Sequence, residues 1–80
     1  MLIERDETLS YYGEDYVFAC MYSYDAERVR KCDIKYLLDY YFKYVEVIHD
    51  TVDVNDFTDW IHEESDEDLE FKIKLMRDSE

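Results

Sequence analysis

The chain has 80 residues, and 22 Asp and Glu against 9 Lys and Arg give it a formal net charge of −13. A hydrophobic fraction of 48%, with nine Tyr, four Phe and one Trp, excludes a disordered acidic tail. The length allows one small domain, residues 1–80, which buries only about 60% of the surface its unfolded form exposes.

No apolar run approaches the roughly 18 residues of a membrane span, and neither a signal peptide nor a polybasic segment is present. The sequence therefore reads as soluble and cytoplasmic, with no membrane role. An acidic chain also repels phosphates, which argues against direct contact with nucleic acid. Cys20 and Cys32 match no zinc or redox spacing and read as two reduced, largely buried thiols, with a disulfide left open if their segments lie side by side.

In chain order, Met1 to Glu7 reads as an edge strand or a frayed end. Gly13 is the only glycine, and Gly13-Glu14 between Thr8–Tyr12 and Asp15–Tyr24 fits the two-residue loop of a type II′ hairpin. That register puts Leu9, Tyr11, Tyr16, Phe18, Cys20, Tyr22 and Tyr24 on the core face, and Val17 and Met21 on the other. Asp25 to Asp33 fits either a turn leading into a third strand, Arg28 to Cys32, or a helix capped by Asp25; the strand is favoured. Arg28, Arg30, Lys31 and Lys35 form the one basic cluster, able to pair with the chain's own acids or to cradle an acidic partner.

From Asp33, a fitting N-cap, Ile34, Leu37, Leu38, Tyr41, Phe42 and Val45 recur at the spacing of one helical face. Tyr36, Tyr40 and Tyr44 form a flanking stripe that reads as the margin of a core. Val45 to Val54 is a connector with some strand character. Asn55 or Asp56 then caps a second helix carrying Phe57, Trp60 and Ile61. Ser65 to Asp68 reads as a solvated turn, and the alternation of Leu69, Phe71, Ile73 and Leu75 with polar residues reads as a half-buried strand. The expected fold is α+β: a small antiparallel β-sheet, built from the hairpin and the C-terminal strand, with two helices packed on one face.

Catalytic and cofactor motifs are missing. No nucleophile elbow, P-loop, dinucleotide fingerprint or H-E-x-x-H occurs, and His49 and His62 each stand beside a carboxylate with no nucleophile in sight. The expectation is a protein with no catalytic residues and no cofactor. A calcium loop begun at Asp53 has Phe57 where an oxygen ligand is needed and Thr58 where glycine is needed, so no metal is expected either.

The asymmetry of charge is the informative feature. Glu46 to Glu70 holds eleven carboxylates and no Lys or Arg, while the other fifty-five residues carry eleven acids and nine bases. A folded row of carboxylates at this density approximates a phosphate edge, so it can occupy the Lys/Arg groove of a nucleic-acid-binding protein without being a substrate. The sequence thus points to a small acidic inhibitor that mimics nucleic acid and blocks the groove of a nuclease or other nucleic-acid enzyme. Its size and charge resemble those of phage-encoded anti-CRISPR, anti-restriction and uracil-DNA glycosylase inhibitor proteins, a likeness of class that rests on no shared motif. The residues expected to meet the basic surface are Asp50, Asp53, Asp56, Asp59, Glu63, Glu64, Asp66, Glu67 and Asp68, with Trp60 or Tyr44 as an anchor in a pocket. The alternative is an interaction module or homodimer subunit that docks through Tyr36, Tyr40, Tyr44 and Met21, its acids serving solubility alone.

Thirteen excess negative charges oppose compaction, and salt screens them within about 10 Å at 0.1 M. Added salt or mild acid is expected to raise the melting temperature. A flat response in differential scanning calorimetry would count against a clustered acidic face.

Overall fold

The computed structural model describes residues 2–7 and 9–79, and these form five α-helices around a two-stranded antiparallel sheet. In order they are β1 (Leu2–Glu4), α1 (Tyr11–Cys20), α2 (Ser23–Arg28), α3 (Ile34–Tyr40), β2 (Thr51–Asp53), α4 (Val54–Glu63) and α5 (Asp66–Asp78). The α+β class holds, but the sheet pairs β1 with β2, with Ile3 opposite Val52, and five helices replace the two expected. None of them is long and apolar enough to cross a membrane.

The expected hairpin is a helix. Ser10 caps α1 by accepting from the Gly13 backbone N–H at 3.3 Å, and Gly13 has no positive φ. Leu9, Gly13, Val17 and Met21 recur every fourth residue, so Val17 and Met21 are buried while Tyr11, Tyr12 and Tyr16 face solvent. Of the expected core face, Leu9, Phe18 and Cys20 pack partly buried on the core while Tyr11, Tyr16, Tyr22 and Tyr24 are exposed, because the true period is 3.6 and not 2. A Cβ at Gly13 would lie 2.9 Å from Leu9 Cδ2, the end of a flexible side chain that can move aside. Thr8, the start of the expected first strand, lies outside the described residues.

Arg28 to Cys32 is not a strand. Arg28 ends α2, Val29 is buried, and Lys31–Asp33 is a 3₁₀ turn leading into α3. Asp25 caps nothing; it lies inside α2, fully buried. The helix expected from Asp33 forms, although Asp33 makes no side-chain cap and binds Arg30 instead. Ile34, Leu37, Leu38, Tyr41 and Phe42 are buried as expected, but Val45 is exposed. A π turn over Tyr41–Val45, closed by the Glu46 N–H to the Tyr41 carbonyl at 2.7 Å, inserts a residue and rotates Val45 off the core face.

Asp53 caps α4 through the Asn55 N–H at 2.8 Å, two residues ahead of the nearer expected cap. Val54, Phe57, Thr58 and Ile61 form its buried face. The expected solvated turn and C-terminal strand are together α5. Ser65 accepts from the Asp68 N–H at 3.2 Å, and Asp66, Glu67 and Asp68 occupy the first turn, where the helix dipole favours anions. Period two put Leu69, Phe71, Ile73 and Leu75 on one face. The helix separates them: Leu69 and Ile73 pack on the core, while Phe71 and Leu75 point outwards. α5 packs mainly on α3, and α1 fills the space beside α3 and α4. Both thiols are free; Cys20 is only partly buried and Cys32 is exposed, so the expectation of two largely buried thiols fails for Cys32.

Because Gly13 sits in a helix and the atom it would crowd is the end of a flexible side chain, Gly13→Ala is expected to leave stability unchanged or raise it by up to about 1 kcal/mol. Urea unfolding measures this; a clear loss of stability would show that Leu9 cannot move away from the added methyl group.

Candidate functional site

On α4 the buried residues define one side, and Asp56, Asp59 and Glu63 lie within a narrow arc directly opposite. Their spacing of three and four residues makes one stripe about 10 Å long, whereas Asp53, just before it, is partly buried and accepts from the Asn55 N–H as the N-cap. All three are exposed, and among the described residues none forms an ion pair. Asp59 has only the Tyr22 hydroxyl, which donates to it at 3.4 Å. Glu67, Asp68 and Glu70 continue the unpaired acids onto the start of α5.

The rest of the acidic tract is engaged. Asp50 stands 3.6 Å from Arg5 with its side chain almost wholly in solvent, Glu64 is half-buried on Lys72 at 2.8 Å, and Asp66 meets Arg28 at 2.5 Å. Glu46 binds His49, and that hydrogen bond holds its carboxyl below the usual carboxylate range. Of the expected anchors, Tyr44 is half-exposed beside Tyr40, whereas Trp60 belongs to the core margin. It packs among Tyr40, Tyr41 and Phe57 with the Lys72 ammonium 5.2 Å from its ring. On the alternative aromatic face Met21 is buried and Tyr40 is taken up by Tyr44 and Trp60.

The basic cluster serves the fold. Arg30 binds Asp33, Lys31 binds Asp15, and Lys35 lies over the Tyr36 ring. Arg28 does most: its side chain is 8% exposed, and its guanidinium donates to Asp25 at 2.7 Å, to Asp66, and to the Glu64 carbonyl. Burial opposes its charge, but the hydrogen bonds to Asp66 and Asp25 outweigh that and keep its pKa above the ordinary value. The second oxygen of Asp25 meets His62 Nδ1 at 2.8 Å, and the Tyr22 ring lies 4.5 Å from the imidazole. Asp25, Arg28 and His62 therefore join α2, α4 and the start of α5. Sequence reading missed this set; its one trace was the opposite charge of Asp25 and Arg28 three residues apart.

Arg28→Met leaves Asp25 buried without its strongest partner, so it is expected to destabilise by about 3–5 kcal/mol, whereas His62→Gln costs far less. Equal losses in urea titrations would contradict the assignment of Arg28 as the main partner. Comparison with protein-family models, curated proteins and solved structures finds no match to this chain.

Proposed function

We propose that this protein is a stoichiometric inhibitor that lays the outer face of α4 into the basic groove of a nucleic-acid-binding protein, such as a nuclease of the kind that anti-CRISPR or anti-restriction proteins block. The carrying observation is the stripe of Asp56, Asp59 and Glu63, opposite the buried side of α4 and unpaired among the described residues. Five of the nine bases, Arg5, Arg28, Arg30, Lys31 and Lys72, are held on other acids: Asp50, Asp25 with Asp66, Asp33, Asp15 and Glu64.

Steps of about 4.5 and 6 Å along the helix axis separate the three carboxylates, against about 3.4 Å per phosphate along one strand of duplex DNA. The row is sparser than a phosphate edge, yet it is fixed on a helix, so a partner's Lys and Arg side chains meet it without ordering it first. As with DNA, docking releases the anions held in the partner's groove, so affinity falls as salt rises. Binding is competitive with nucleic acid, because both require the same groove. No group of the inhibitor undergoes chemistry.

Affinity purification from a lysate at two salt concentrations, with mass spectrometry, identifies the partner. Asp56→Lys, Asp59→Lys and Glu63→Lys together are expected to abolish its capture, and the neutral Asn/Gln triple to lower the slope of log affinity on log salt by about 3. A complex that forms equally well on a partner already loaded with an oligonucleotide would rule out competition for the groove. Retention by the Lys triple would favour docking through the aromatic face instead.

A further inference from the structure

The segment between the π turn and β2 carries three aliphatic side chains in solvent: Val45, Val47 and Ile48, with relative exposures of 45%, 58% and 84%. Among the described residues no large apolar side chain is more exposed than Ile48. A loose loop would explain this, but the segment is wound around a cation. The Arg5 guanidinium donates to the Phe42 carbonyl at 2.5 Å, to the Glu46 carbonyl at 2.8 Å and to the His49 carbonyl, and it lies 5.0 Å from the centre of the Phe42 ring. From outside, the Glu46 carboxylate accepts from the His49 backbone N–H and meets His49 Nδ1 at 2.9 Å. Arg5 is itself fixed, since its backbone N–H donates to the Asp50 carbonyl at 2.6 Å, continuing the β1–β2 ladder.

The turn therefore takes its shape from polar contacts inside, and Val47 and Ile48 are left outside with no part in it. A preorganised apolar tip loses little conformational entropy on docking, which is the property of an anchor residue. Asp50 follows two residues later and Asp53 five, within about 17 Å even if that chain were fully extended, and exposed Glu4 and Asp6 flank it on β1 and just beyond.

We infer that Val47 and Ile48 form an apolar anchor that enters a nonpolar pocket rimmed by Lys or Arg on a partner protein, next to the acidic row. This rests on reading that row as a contact surface for cations. The same charge selects the occupant: a second copy, also at −13, and an anionic membrane surface are both repelled, whereas a basic rim is attracted to the exposed Glu4 and Asp6.

The test is selection of a random-peptide phage library on the immobilised full chain, followed by fluorescence-anisotropy titration of the enriched peptides. Peptides combining Lys or Arg with Leu, Ile, Phe or Trp are expected, with affinity lowered about tenfold by Ile48→Ser and a salt slope that this variant leaves unchanged. Ile48 is exposed enough that the variant should keep the wild-type unfolding midpoint. Purely basic peptides indifferent to Ile48→Ser would overturn the anchor and leave the acidic row standing. Apolar peptides without bases, or no enrichment at all, would overturn the cationic rim. Ile48-dependent uptake by phosphatidylcholine vesicles would assign the tip to a lipid surface and overturn it as well. Basic, Ile48-dependent peptides whose binding ignores the Asp56, Asp59 and Glu63 Lys triple would keep the anchor and sink the groove-blocking reading instead.

Discussion

A carboxylate with no solvent at all, Asp25, sets the terms for the rest of the molecule. Left alone in the interior, its charge would cost several kcal/mol, and the fold meets that cost from two sides, with Arg28 on one oxygen and His62 on the other. Arg28 comes from the same helix; His62 comes from α4. The remaining donors of Arg28 take the Glu64 carbonyl, at the end of α4, and Asp66, at the beginning of α5. One guanidinium thus fixes the corner between the two most acidic elements of the chain. Such a pair adds little net stability over a well-packed apolar substitute, but removing one partner leaves the other charge buried and costs far more.

That corner needs specifying because the net charge opposes it. α4 brings Asp56, Asp59 and Glu63, and α5 opens with Asp66, Glu67 and Asp68, so the two helices meet where like charges are densest. Two ion pairs relieve the junction at its inner side, Arg28 with Asp66 and Lys72 with Glu64. Lys72 also covers the rings of Tyr40 and Trp60, joining α5 to the aromatic margin of α3 and α4. At this corner Arg28 and Lys72 are turned towards the interior, while Asp56, Asp59 and Glu63 on the outer face of α4 are exposed and in no ion pair among the described residues.

Much of the centre was legible. The 3.6-residue period from Ile34 to Phe42 and the Phe57, Trp60, Ile61 face gave two helices, and of the strand character read into Val45 to Val54 only the part around Val52 is a strand, β2. Both ends were misread for one reason. In α1, alternating tyrosines carried the hydrophobic signal, although a half-polar Tyr is content on a surface and the true core residues, Val17 and Met21, are fewer and smaller. In α5, Phe71 and Leu75 completed a false alternation because they are apolar residues left in solvent. The capping signs favoured helices in both places: Ser10 three residues before Gly13, and Ser65 three before Asp68, the latter a capping-box spacing. The carboxylates themselves were legible as a tract, but which of them point outwards was not. Pairing with Arg5, Arg28 or Lys72 depends on contacts between residues far apart in the chain.

Preorganisation connects the corner to the surface. An unfolded acidic segment of the same composition would also attract a basic groove, but it would lose conformational freedom for each residue it ordered there. Here the ordering has been done in folding. The Asp53 cap starts α4 at a fixed point, Arg28 holds its far end, and Arg5 shapes the turn before β2. A strand of three residues and a helix of ten then follow that turn without a break and carry the groups from Thr51 to Glu63. The three side chains that fix this path, Asp53, Arg28 and Arg5, each act by satisfying backbone groups at the end of an element. A small domain can define a surface in this way, through a handful of polar staples set around its apolar core.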